Sequence, residues 1–144
     1  MTAIDLYELA RKLAQAPARN QVFVIIKCDD PALDAAFDEV YKPEGLAAGF
    51  DKVVRIQRAA DSADLARKVV EQIATSRLVI ADLSGERPNC YYEAGFAHAL
   101  GKPVIFSIRR SDEVHFDLAA FHFIVWDDLE SLRRQLRERL ATHD

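Results

Sequence analysis

The chain is poor in cysteine: it has two, Cys28 and Cys90, far apart in sequence. There is no C-x-x-C pair and no metal-ligand spacing, so neither a disulfide framework nor a metal site is expected. No apolar run approaches the length that crosses a bilayer. The opening stretch "MTAIDLYELARKL" carries acids where a secretion signal needs an unbroken apolar core. The expectation is a reduced, cytoplasmic protein without membrane contact. A basic excess is missing too. Lys and Arg number 19 against 23 Asp and Glu, a net charge of −4, which argues against a dedicated nucleic-acid binder. The arginine run "LRRQLRER" reads more simply as the solvated face of a helix. GxxxxGKS/T, GxGxxG after the first strand and HExxH are all absent, which argues against a P-loop NTPase, a dinucleotide-binding domain and a zincin.

What is present fits one domain over residues 1–144, half of it hydrophobic and long enough for a real core. Residues 3–16 predict a helix that stands as an extension before an α/β core over 20–144. The runs "VFVIIKC" (22–28), "DKVVRIQ" (51–57), "RLVIADL" (77–83), "PVIFSI" (103–108) and "FHFIVW" (121–126) predict five strands. Between and after them, helical spacing appears over 31–48, 61–76, 89–100 and 128–142, with Asp61 or Ser62 as a cap for the second of these. Strands that are apolar throughout and alternate with helices predict a parallel sheet covered on both faces. Five such units suit the flavodoxin-like strand order 2-1-3-4-5. The first helix lies outside that pattern, and its expected place is the sheet edge or another subunit.

This order sets where function should lie, because ligands bind beyond the strand ends where the order reverses. Lys27, Cys28 and Asp29 are expected at the end of the first strand. Asp82, Leu83 and Ser84 are expected at the end of the third. The stretch "ADLSGERPNCYYEAGF" (81–96) therefore borders the crevice. Asn89 is a natural helix N-cap, yet a capping box would need its acid at Tyr92, one residue before Glu93. Glu93 is then expected in the first turn, where the helix dipole favours a negative charge by roughly 0.3–1 kcal/mol. A surface acid satisfying that dipole would account for it. The functional alternative is a carboxylate that attacks a carbon or stabilises a developing cation, as at the anomeric carbon of a sugar. Asp82 either exchanges a proton there or caps the following turn. Of Tyr91 and Tyr92, about 100° apart on a helix, at most one faces the same pocket, and Tyr92 is closer to the mouth. Phe96 and His98 read as structural, and Cys90 as a small buried residue.

The run "SRLVIADLSGERPNCYYEAGFAHALGKPVI" (76–105) resembles the nucleoside 2-deoxyribosyltransferase-like superfamily, in particular its short bacterial TIR-like, nucleotide-binding branch. That branch carries a strand ending A-D-L-S/T-G, then N-P-N-x-x-Y-E-L-G and A-H-A-L-G-K-P. Its earlier F-D-x-x-Y…K-P…A-G segment is matched by Phe37, Asp38, Tyr41, Lys42, Pro43, Ala48 and Gly49. Its later P-F-D-L is matched, without the Pro, by Phe116, Asp117 and Leu118. The resemblance implies a glutamate nucleophile, which falls on Glu93, with Asp82, Ser84 and Asn89 lining the sugar or phosphate side. It implies that Tyr92, Phe116 and Asp117 help to hold a nucleoside or nucleotide, that no cofactor is needed, and that a homo-oligomer completes the pocket. Two places depart from the pattern. Ile26, Lys27 and Cys28 replace a Met-Pro-aromatic turn, and Gln57 stands where an acid is common, so the pocket rim is altered. The expected function is an N-glycosidic-bond hydrolase or transferase acting on a nucleoside, nucleotide or NAD. The alternative is a non-catalytic nucleotide-binding or assembly module. A phosphoacceptor receiver shares the strand order, but "SIRR" (107–110) lacks the lysine such a domain needs after its fourth strand.

Overall fold

The computed structural model describes residues 2–57, 63–112 and 121–142. Five strands are present: β1 (Arg19–Ile25), β2 (Lys52–Val54), β3 (Ser76–Asp82), β4 (Val104–Arg109) and β5 (Ile124–Trp126). They pair in parallel in the order β2-β1-β3-β4-β5, the order expected from the sequence. The helices are α1 (Ala3–Ala14), α2 (Pro31–Ala36), α3 (Lys42–Ala47), α4 (Ala63–Thr75), α5 (Pro88–Ala99) and α6 (Leu129–Thr142). A π-helical turn, Phe37–Tyr41, joins α2 to α3.

Alternate residues of the central strands feed two cores. Val22, Val24, Leu78 and Ile80 lie under the α2–α3 segment and α6. Phe23, Ile25, Val79 and Ala81 lie under α4 and α5. Both faces being covered is why the strands read as continuous apolar runs. Helix α1 forms an outer layer. Its Ala10 packs on Val70 and Ala74 of α4, beside Leu6 and Leu13. It therefore covers α4 and not the sheet edge, and it starts at a capping box between Thr2 and Asp5. None of the helices in the described residues is long and apolar enough to cross a membrane.

Three differences from the sequence reading have physical reasons. The expected helix over 31–48 is interrupted because Pro43 has no N–H to give and its ring crowds the carbonyl four residues back. The chain widens by one residue there, so that the Lys42 N–H reaches the Phe37 carbonyl. Strand β1 pairs with β3 only as far as Ile25 opposite Ala81, so Lys27 and Cys28 lie in the loop beyond the strand. Strand β5 begins at Ile124, and Phe121 and Phe123 instead pack their rings on Phe106 at 5.5 and 5.2 Å. The cap expected at Asp61 or Ser62 falls outside the described residues.

Helix α3 rides so close over β2 that a Cβ on Gly45 would lie 2.5 Å from Val53 Cγ2. The same helix is tied to α6 by a two-pronged ion pair. Arg137 donates through Nε to Glu44 Oε1 at 2.8 Å and through its terminal nitrogen to Oε2 at 3.0 Å. Hydrogen bonding from Arg137, and then the charges of Arg137 and Arg133, hold the Glu44 carboxyl below its ordinary value against the opposing pull of burial. The folded state thus favours ionised Glu44. That stabilisation is complete above the ordinary glutamate value and is lost as pH falls through the depressed one. Urea unfolding at a series of pH values is expected to show a steeper acid-side loss of stability in the wild type than in Arg137→Ala. Parallel curves for the two proteins contradict this linkage.

Candidate functional site

Strand order reverses between β1 and β3, and the crevice opens beyond their carboxyl ends. Residues 26–30 form one wall and residues 83–87 the other. Each wall holds a non-glycine residue in the left-handed region, Asp29 at φ 59° and Glu86 at φ 55°. Such conformations are uncommon outside glycine and persist where the surroundings enforce them.

At the root of the second wall is Asp82, with no exposed surface. Its Oδ2 accepts from the Tyr41 hydroxyl at 2.5 Å and from Trp126 Nε1 at 3.2 Å, and its Oδ1 accepts from the Ser84 N–H at 2.9 Å. The single Tyr41 proton goes to Asp82, so Ser107, 2.6 Å from the same hydroxyl, is the donor to Tyr41. Burial pushes the Asp82 carboxyl above its ordinary value, opposed by the bonds from Ser84, Tyr41 and Trp126. Burial first, and then the Asp82 charge, raise the Tyr41 hydroxyl well above its ordinary value, so it stays a proton donor. Asp82 thus caps the turn and ties it to the π-turn and to β5. Ser84, 1% exposed, accepts from the Arg109 N–H at 2.9 Å and ties the same turn to β4.

Charged side chains gather at the mouth. Asp112 Oδ2 accepts from the Gly85 N–H at 3.0 Å and from Arg109 Nε at 3.2 Å. The terminal nitrogen of Arg109 stands 3.5 Å from Asp30, and Lys27 Nζ stands 3.9 Å from the same carboxylate. Behind them lies Arg55, whose side chain is 5% exposed. It donates to Asp34 at 3.0 Å and to the Lys27 carbonyl at 3.2 Å, and reaches Cys28 Sγ at 3.8 Å. Cys28 is itself buried, and its thiol donates to the Ile56 carbonyl at 3.5 Å.

Helix α5 differs from the sequence reading. Arg87 is its N-cap residue and Pro88 its first helical residue, and no side chain caps it. Proline's fixed φ and missing N–H suit that first position, which moves the cap two residues back from the expected Asn89 to Arg87. Asn89 is exposed. No acid lies in the first turn, so Glu93 is in the second, where the dipole has little hold. Glu93 is also only 7% exposed and is not the surface acid that the dipole argument suggested. Tyr91 packs into the core beneath α5. Tyr92 is 60% exposed, 6.3 Å from the Phe96 ring, which in turn meets Tyr7 of α1 at 6.3 Å.

The structure thus brings Lys27 together with Arg109, Asp30 and Asp112 at one mouth, whereas Ser84 is buried in the turn behind them. It places the two acids in different layers. Asp82 faces the side of Tyr41 and Trp126, whereas α5 covers the opposite face. Phe116 and Asp117 lie outside the described residues. Among the described residues, no group of three or more His, Cys, Asp or Glu side chains is placed to hold a metal. Sequence reasoning gave no role to Tyr41, Trp126, Ser107, Arg109 or Asp112. The only tryptophan at the end of an apolar run and the lone polar residue in "VIFSI" were the available signals.

Tyr41→Phe is expected to destabilise the fold by roughly 1–3 kcal/mol, since it strips a buried carboxylate of one donor and leaves Ser107 without its acceptor. Denaturant midpoints check this, and an unchanged midpoint contradicts it. No family model and no curated protein matches the chain.

Proposed function

We propose that the chain cleaves or transfers at the N-glycosidic bond of a nucleoside, nucleotide or NAD, as a cytoplasmic homo-oligomer that resembles the nucleoside 2-deoxyribosyltransferase-like enzymes. Glu93 is the nucleophile, or the carboxylate that stabilises the sugar cation. The observation that carries this reading is the burial of Glu93, at 7% exposure, on the helix that leaves the crevice turn. An acid serving only a helix end belongs exposed in the first turn, and this one is neither exposed nor in that turn. A carboxylate in a site shielded from water acts strongly on positive charge developing at an anomeric carbon. The base departs with the bonding electrons and takes up a proton. Water or a second base then attacks the same carbon and gives up a proton to solvent, breaking any bond formed to Glu93 and returning its carboxylate. Asp82 has its oxygens committed to Tyr41, Trp126 and Ser84, so its part is to position the turn. Tyr92 offers an exposed ring for stacking.

A non-catalytic nucleotide-binding module is the second reading. It is favoured by the enclosure of Asp82, whose oxygens are committed to Tyr41, Trp126 and Ser84 and so are not offered to a ligand.

Incubation with a panel of nucleosides, nucleotides and NAD, read by chromatography for released base, separates the two. The enzyme reading expects release that falls by roughly a thousandfold or more in Glu93→Gln. Saturable binding without turnover, unchanged by that substitution, contradicts it and leaves the binding module. Sedimentation of the same sample reads the oligomeric part, and a lone monomer at high concentration removes it.

A further inference from the structure

We propose that the outer face of α5, with the flank of α1 beside it, is where two copies of this chain meet about a two-fold axis. This gives a surface to the homo-oligomer proposed above and rests on that part of the reading, not on the glycosidic chemistry.

Helix α5 has the composition of an interior helix. Glu93 is its only Asp, Glu, Lys or Arg, and it is buried along with Cys90, Ala94 and Ala97. The opposite side meets solvent without a charge to suit it, for Tyr92, Gly95 and Ala99 are exposed at successive turns. The neighbouring helices are different. Helix α1 carries Asp5, Glu8, Arg11 and Lys12, all exposed, and α4 carries Asp64, Arg67 and Lys68, exposed as well. A surface helix turns its charged residues to water, and one that is apolar on all sides is ordinarily covered.

The shape of this surface suits a second copy. Helix α1 lies as an outer layer on α4, whereas α5 lies directly on the sheet. The result is a ridge beside a ledge. Between them runs a groove of about 270 Å³ lined by Tyr7, Arg11, Ala14, Gln15, Ala99 and Leu100. Arg11 lies over the exposed Tyr7 ring, 5.9 Å from its centroid. Tyrosine and arginine are residue types enriched where proteins associate. Among the described residues beyond its own helix backbone and chain neighbours, nothing lies within 4 Å of a Cβ built on Gly95, so the ledge is open to close approach. Tyr92 stands at the crevice end of the ledge, at the margin of the contact.

A ridge beside a ledge matches itself under a two-fold rotation. Each copy lays its α1 on the ledge of the other, and the two α1 helices run antiparallel down the middle. The charges agree with that arrangement. Glu8 and Arg11 are exposed about one turn apart, so antiparallel pairing sets the Glu8 of each copy against the Arg11 of the other. An acid and a base in this order match their own reverse, which is what selects a second copy as the occupant. If the same charges served only the dipole of α1, reversing them would change stability and leave association alone.

Sedimentation equilibrium over a range of concentrations tests this. The wild type is expected to dimerise, and Gly95→Arg to raise the dissociation constant by about tenfold or more, because the new side chain fills the ledge. Its melting temperature is expected not to fall, since arginine favours a helix more than glycine does and the site is open. Glu8→Arg and Arg11→Glu are each expected to weaken the dimer about tenfold, and the double exchange to restore it. Arg134→Glu, at an exposed position of α6, is expected to leave association unchanged. A dimer that Gly95→Arg leaves intact, or a double exchange no tighter than either single change, overturns the proposal. A monomer at every concentration overturns it together with the oligomeric part of the function, and leaves the face to a different partner. Base release by a protein whose dimer ignores these substitutions removes the face alone. A dimer that obeys them in a protein that releases no base removes the glycosidic reading alone.

Discussion

A carboxylate with no exposed surface stands at the end of the central strand, and the crevice is arranged around it. Asp82 is in the position where burial is least forgiving of an unmatched charge. Four separate parts of the chain come together to satisfy it. The turn after β3 supplies the Ser84 N–H, the π-turn supplies the Tyr41 hydroxyl, and β5 supplies the Trp126 indole. Strand β4 supports Tyr41 through Ser107. Because each donor is directional, the carboxylate fixes the relative positions of these elements more tightly than apolar packing alone. The wider turn before Pro43 belongs to the same constraint, since Tyr41 is its last residue.

The two acids that the sequence pairs around one turn are held in different layers. Asp82 spends its oxygens on the scaffold, in the layer covered by the π-turn and α6. Glu93 is buried on α5 in the other layer. Between them, the turn 83–87 leaves the scaffold for the mouth, where Lys27, Arg109, Asp30 and Asp112 set the local charge. The rim at Lys27 and Cys28 is therefore built into a charged, hydrogen-bonded wall.

The fold was legible because its signals were strong and repeated. Apolar runs bounded by Gly, Pro and Asp, alternating with helical spacing, admit few arrangements, and the parallel order followed from them. Boundaries were less legible where one residue outweighed a pattern. Pro88 set the start of α5 against the usual preference for Asn89, and Pro43 opened a π-turn in what reads as one continuous helix. Within the site, the positions of Lys27 and Ser84 beyond the ends of β1 and β3 followed from topology alone. Burial could not be placed that way. Whether Asp82 faces solvent or Tyr41 depends on contacts across 41 and 44 positions of sequence, which no local spacing encodes. The same holds for Asp112, whose bond to Gly85 spans 27 positions.

The claim that Asp82 organises the crevice from inside, without touching a ligand, is tested most directly by following its side-chain carboxyl through a pH titration by carbon-13 NMR. Asp82→Asn assigns the signal, and the titration is run with and without a nucleoside 5′-monophosphate. The account predicts a midpoint above the ordinary aspartate value that the nucleotide does not move. An ordinary midpoint that shifts when the nucleotide is added would contradict it.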